Sequence, residues 1–368
     1  MDNTTDSNLS IPVKPTRDYD SLCPVKRVYT EMFFLYVAGI GSTCLIGLVL
    51  NSINLMVLGR QKMELKSHLM LRVLAVSDMV FLVTCLVHFV LRHLVALSIY
   101  GTALWRRRDR ELMPLWYWYS LPPYFMALQN RNWIIVLVTT ERLLAILAPF
   151  WSRVSVTRSR IYKVVVVNAV IAVGMQMSRF FDRVQKPSTF KCAEPYESVY
   201  ILQPWGQVQD RIGYVIMVIA IPLTLLYVMN IALIIALYRI SAKRAQLHEG
   251  DLRQATAQRQ ATLMVIAMLV VFTVCETPAG LDRIARLAGA KFSSTDPFFH
   301  CGRRVGLLLI VMDSAVNFLA YCASNRRFRN TLRHLCGKFF DRRPSLSSIF
   351  SVNYSTSSSE ASRSSVPR

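Results

Sequence analysis

The residues of this sequence that could do chemistry are charged side chains set inside long apolar stretches. Arg131 sits in the middle of a mostly apolar run from Leu115 to Pro149, with a Glu141-Arg142 pair near its end. Eleven residues separate the two arginines. That is close to three whole helical turns, so both project from nearly one face, about 16 Å apart along the axis. With Arg142 at a membrane boundary, Arg131 lies near the middle of a hydrocarbon core about 30 Å thick, where a charge must face the protein interior and a partner. Two carboxylates fall at the same depth by the same arithmetic. Asp78 is 12 residues beyond Lys66, about 18 Å in, and Asp313 is 13 residues before Arg326, about 19 Å in. The chemistry of such a set is charge compensation, by pairing or by sharing a proton. Two carboxylates and one guanidinium leave a formal charge of −1. No serine–histidine–aspartate arrangement, metal-ligand spacing or nucleotide-binding loop accompanies them, so the expectation is no enzyme, no cofactor and no metal.

The elements that must position these groups follow from composition. Of 368 residues 53% are hydrophobic and the mean hydropathy is +0.34. The apolar residues come in long blocks, which predicts an all-α membrane protein with one helical bundle. The net charge of +21 raises nucleic acid as a partner. Basic residues that flank membrane spans account for it, and no zinc-finger, RNA-recognition or helix-turn-helix pattern appears, so nucleic acid is not expected.

Seven spans are expected near residues 33–58, 67–92, 114–147, 161–178, 210–238, 260–284 and 304–323, and the clear core of the fourth is only Val164 to Met177. An odd number places the termini on opposite sides. Residues 1–32 form a polar tail without a signal-peptide core, and its sequons at Asn3 and Asn8 point to a glycosylated extracellular end. Lysine and arginine flank the spans on both sides, so charge alone does not orient the chain. Residues 324–338 read as an amphipathic helix on the membrane surface, with Phe328, Leu332, Leu335 and Cys336 on one face and arginines opposite. Residues 339–368 are rich in serine and expected to be disordered.

At this point the chain resembles the rhodopsin-like (class A) G-protein-coupled receptors, over about residues 33–336. The residues that carry the resemblance are Asn51, Leu74-Ala75-Val76-Ser77-Asp78, Glu141-Arg142-Leu143 with Pro149, Pro222, Phe272 through Pro278, and Asn317-Phe318-Leu319-Ala320-Tyr321. A finer match is to invertebrate FMRFamide-type neuropeptide receptors, through Cys275-Glu276-Thr277-Pro278, Asn317 to Tyr321, and Asn230 eight residues after Pro222. The resemblance implies a multi-pass plasma-membrane receptor with an extracellular N-terminus, an extracellular peptide ligand and a heterotrimeric G protein. A receptor kinase and an arrestin would act on the serine tail. Glu141, Arg142, Asn317, Tyr321 and Pro278 would serve activation. Arg142 would be held by Glu141 at rest and swing toward the G protein as span six moves outward. In related receptors the aspartate at the place of Asp78 helps bind a sodium ion, with a small polar residue where Arg131 stands. A tethered guanidinium would then occupy the place of that ion.

Several residues depart from the family pattern. Tyr117 stands where the span-three cysteine of the usual disulfide would be, so Cys23, Cys192 and Cys301 are left as disulfide candidates, with Cys23–Cys192 and Cys23–Cys301 both open. Leu143 replaces a tyrosine, Phe318 a proline, and Gln258 the acidic partner of span six. Tyr124 stands where amine receptors carry an aspartate, which speaks against a monoamine. His88, Arg92, Tyr124, Leu128, Glu276 and Arg283 are expected to line an outer ligand cavity. Arg106 through Arg110 form a basic run in the first outer loop that would draw an acidic ligand. Cys336 is a candidate for acylation. The departures keep a degenerate, non-signalling receptor in view. A transporter, which should show inverted repeats, is the reading from another class.

Overall fold

The computed structural model describes residues 34–60, 66–98, 113–181, 183–185, 200–202, 208, 213, 215–243, 249–287, 297–324 and 326–341. Span one opens as a wide helical turn at Phe34–Gly41 and continues as Ser42–Arg60. Span two is Lys66–Cys85, widens at Leu86–Leu91 and ends as Arg92–Ser98. Span three is one helix, Met113–Leu147, with a short helix Pro149–Ser155 behind it. Span four is Arg158–Met177, capped by the Thr157 side chain, which accepts from the Arg160 N–H at 3.3 Å. Span five is a wide turn Val215–Ala220 leading into Ile221–Lys243. Span six is Glu249–Leu287, span seven Pro297–Ser324, and a surface helix follows at Arg326–Asp341. The end of the bundle where span one begins is called upper below, and the opposite end lower.

Six of these helices are long and apolar enough to cross a membrane. Span three has the length, about 52 Å for its 35 residues, but the polar run Gln129-Asn130-Arg131-Asn132 dilutes its middle. Spans six and seven start earlier than hydropathy suggests, at Glu249 and Pro297, and the surface helix runs to Asp341 rather than 338. Hydropathy marks where the chain meets lipid, and a helix is free to continue past that boundary into water. A small antiparallel ribbon, β1 (Arg183–Gln185) with β2 (Tyr200–Leu202), was not anticipated. Its register pairs Val184 with Ile201.

Span one packs on spans two and seven, span two on three, span three on four and five, and span six on five and seven. Apolar burial does little to drive helices together in lipid, so close packing and hydrogen bonds carry the association. Gly47 allows span one to approach closely: a Cβ there would stand 2.8 Å from Leu82 Cδ1 and 3.0 Å from Ala315 Cβ. Asn51 Nδ2 donates to the Ser314 carbonyl at 2.9 Å and joins spans one and seven. Asn130 donates to Ser77 Oγ at 2.7 Å and accepts from Asn168 at 2.8 Å, joining spans two, three and four.

The helix prolines explain a further set of ties. Pro222 has no N–H to offer the Val218 carbonyl four residues earlier. Asn132 Nδ2 donates to that carbonyl instead, at 3.1 Å, and Trp133 Nε1 donates to the Met217 carbonyl at 3.0 Å. Spans three and five are thus joined where the backbone of span five lacks its own donor. The apolar interior has a lower cluster around Ile134, Leu226, Met264, Phe272 and Tyr321, and an upper one around Phe81, Tyr124, Phe125, Leu128 and Val218.

Candidate functional site

The guanidinium of Arg131 lies wholly inside the bundle, with no side-chain exposure. Its Nε donates to Asp78 Oδ1 at 2.8 Å. Its Nη2 donates to Asp313 Oδ2, and its Nη1 donates to Glu276 Oε1 at 3.2 Å. Spans two, three, six and seven therefore meet at one cation. Asn317 Nδ2 donates to the other oxygen of Asp78 at 2.7 Å, and Asn132 Oδ1 accepts from Arg131 at 3.3 Å. The rings of Phe81 and Phe272 flank the guanidinium, with centroids 5.4 and 5.7 Å from its carbon. A small cavity next to the set, bordered by Leu74, Thr139, Asp313 and Asn317, has room for about one water.

The constellation differs from the expected one in a specific way. Glu276 was placed in the outer ligand cavity, whereas it is 4% exposed and bound to Arg131. The set holds three carboxylates for one guanidinium, so its formal charge is −2 rather than −1. An arginine side chain is long enough to reach both a carboxylate at its own depth and one higher on a neighbouring helix.

At the lower end Arg142 Nε lies 3.5 Å from Glu141 Oε2. That is an ion-pair distance, though not a hydrogen bond, and both side chains are buried. Tyr321 is 1% exposed and stacks on Phe328 at 5.6 Å between centroids. Phe328, expected on the lipid-facing side of the surface helix, is instead fully buried in the bundle, and Leu332 and Leu335 pack against the same core. Arg329 Nη1 donates to the carbonyls of Cys322 and Ala323 at 2.8 and 2.9 Å, tying the start of the surface helix to the end of span seven. Leu143 and Phe318, two departures from the family pattern, both pack against this lower core.

Tyr124 and Leu128 are buried core residues. The Tyr124 ring stacks on His88 at 5.7 Å and meets Phe81, Phe89 and Phe125. His88 Nδ1 lies 2.7 Å from Ser120 Oγ and its side chain is buried. Among the described residues these three side chains pack against the upper core. Arg92 is buried, and Arg283 stands 6.0 Å from the Phe125 ring. Arg179 approaches that ring more closely, at 4.1 Å, and is held by Gln176 Oε1 at 2.5 Å. Asn3, Asn8, Cys23, Cys192, Arg106 through Arg110 and the tail serines lie outside the described residues, as do the side chains of Tyr117, Gln258, Cys301 and Cys336. Among the described residues Cys44, Cys85, Cys275 and Cys322 are free thiols.

The family model described as serpentine type 7TM GPCR chemoreceptor Srw matches residues 42–339. The chain belongs to this family. It is a multi-pass G-protein-coupled receptor, and the helical bundle with its apolar spans is the fold that this requires. The receptor is also similar to a putative G-protein coupled receptor of Caenorhabditis elegans, at 24% identity over 78% of this chain and 70% of the relative. It is 23% identical to neuromedin-U receptor 2 of Homo sapiens over 92% of this chain and 77% of the relative. It is 23% identical to the FMRFamide receptor of Drosophila melanogaster over 85% of this chain and 55% of that receptor.

Two features of the receptor's site escaped sequence reasoning. Glu276, expected in the outer cavity, falls outside the charge layer by depth: counting from Arg259 puts it 17 residues into span six, about 25 Å, above the other three. A carboxylate two residues before a helix proline, in a span with no other acid between 252 and 281, was the available signal. The glutamine relay that holds Arg179, in which Gln176 Nε2 donates to Gln129 Oε1 at 2.6 Å, carried no pattern in the sequence.

Proposed function

We propose that the receptor binds an extracellular peptide of the FMRFamide type and passes that event to a heterotrimeric G protein at its lower end, with the upper end outside the plasma membrane. The observation that carries this reading is that relatives named for neuromedin U, FMRFamide and sex peptide align over 92%, 85% and 84% of this chain. Tyr124 adds to it: amine receptors of this fold place a carboxylate there, and here an aromatic ring is packed among other rings. At the lower end the Glu141–Arg142 pair at 3.5 Å supports a resting state in which Glu141 holds Arg142. The surface helix, on which Arg333 is exposed, meets anionic membrane lipid, and Cys336 is the acylation site. Phosphorylation of the serine tail by a receptor kinase adds about −1.5 to −2 charges per site and creates a docking strip for an arrestin.

The test is a screen of amidated peptides on cells that express the receptor, with calcium, cAMP and ion-flux readouts. A saturable response to a peptide, lost in R142A, is the expected result. Ion flux without a G-protein response would point to a transporter, and silence at every readout to a non-signalling relative. The chemoreceptor in the family description favours a second reading, a small environmental chemical as ligand, and a metabolite panel in the same screen separates the two.

A further inference from the structure

Span six has a built-in weak point. Pro278 offers no N–H to the Val274 carbonyl, and Thr277 Oγ1 donates to the Thr273 carbonyl at 2.5 Å, so the backbone there is short of a helical bond. Span six as a whole packs most extensively on span seven, less on span five and least on span three. Glu276 sits two residues before the proline, at the top of the lower arm. Its Oε1 accepts from Arg131 Nη1 of span three at 3.2 Å.

The other carboxylate contacts of Arg131 reach spans two and seven. Asp78 belongs to span two, whose Asn317 contact ties it to span seven, and Asp313 belongs to span seven itself. Glu276 is the member of the set on the arm that can bend. It is also the most weakly held. Two carboxylates already outweigh the single guanidinium, and a third is repelled by both while it shares one cation. Its distance to Arg131 is longer than the 2.8 Å of the Asp78 contact. A contact that is buried, charged and marginal has two states close in free energy, which is what a latch requires.

We infer that Glu276 is a positioning residue for activation: through Arg131 it holds span six against span three at rest, and its release frees the lower arm to move. The inference rests on the receptor reading for its signalling arm, and the experiment separates the two. The full chain is purified into lipid nanodiscs as wild type, E276Q and E276D. An environment-sensitive fluorophore is attached through R259C, at an exposed position near the lower end of span six. Protein lacking that cysteine is the labelling control. Nucleotide exchange on a heterotrimeric G protein is measured with unlabelled protein and no ligand.

E276Q, which keeps the shape and removes the charge, is expected to move the emission and to raise basal exchange by about fivefold or more, the low end of ordinary coupling energies. E276D, which keeps the charge on a side chain one methylene shorter, is expected to fall between wild type and E276Q, and E276Q with R142A to fall back to the level of R142A alone. Moved emission without exchange leaves the latch standing and overturns the G-protein reading. Emission and exchange unchanged in E276Q overturn the latch. Poor recovery of folded E276Q also overturns it, because removing the third of three crowded carboxylates lowers the buried charge.

Discussion

Arg131 Nε and Asp78 Oδ1 stand 2.8 Å apart in an ion pair with no exposure on either side. Desolvation offsets much of the attraction in such a pair, so its net contribution to stability is small, while breaking it is costly because the remaining charge has no solvent. Arg131→Ala strands three buried acids and is expected to cost about 3–5 kcal/mol. The double replacement of Asp78→Asn with Arg131→Ser should recover more folded protein than either single change. Surface expression and thermal inactivation in detergent read both. Losses that simply add in the double mutant would show that the charges do not act as one unit.

A tethered cation cannot leave its site. The resemblance implies that Arg131 takes the place of the sodium ion that related receptors hold beside the aspartate of span two. Agonist affinity is therefore expected to be nearly the same in sodium and in another monovalent cation at equal ionic strength. A sodium-specific loss of affinity in radioligand displacement would rule out the guanidinium as the resident cation.

Much of the fold and part of the site were legible in the sequence, for physical reasons that also mark the limits. Helical rise is constant, so residue counts from a membrane boundary convert to depth, and Asp78, Arg131 and Asp313 could be placed in one layer. Glu276 lies higher on its helix, and only the reach of an arginine side chain brings it in, which depth arithmetic does not see. The wide turns at Leu86–Leu91 and Val215–Ala220 rotate the residues beyond them relative to a regular helix. His88, inside the first of these turns, meets Tyr124 of span three in a packed aromatic group. Phe328 fits either a lipid-facing or an inward-facing stripe, and its stacking on Tyr321 decides between them.

Gly47 offers a packing test independent of charge. A methyl group at this position meets Leu82 and Ala315 inside normal contact distance, and overpacking of this kind costs about 1–3 kcal/mol. Gly47→Ala should lower the thermal unfolding temperature, whereas Gly174→Ala, with nothing within 4 Å, should leave it equal or slightly raised. Equal unfolding temperatures for the two variants would mean that spans one, two and seven do not meet this closely.

Arg142, at the lower end of span three and paired with Glu141 at 3.5 Å, is the group on which the signalling account turns. The direct measurement is ligand-driven nucleotide exchange on a heterotrimeric G protein, with wild type and Arg142→Ala brought to equal surface expression. The account predicts exchange in the wild type and its loss in the variant, with ligand binding retained. Full exchange from Arg142→Ala would contradict it.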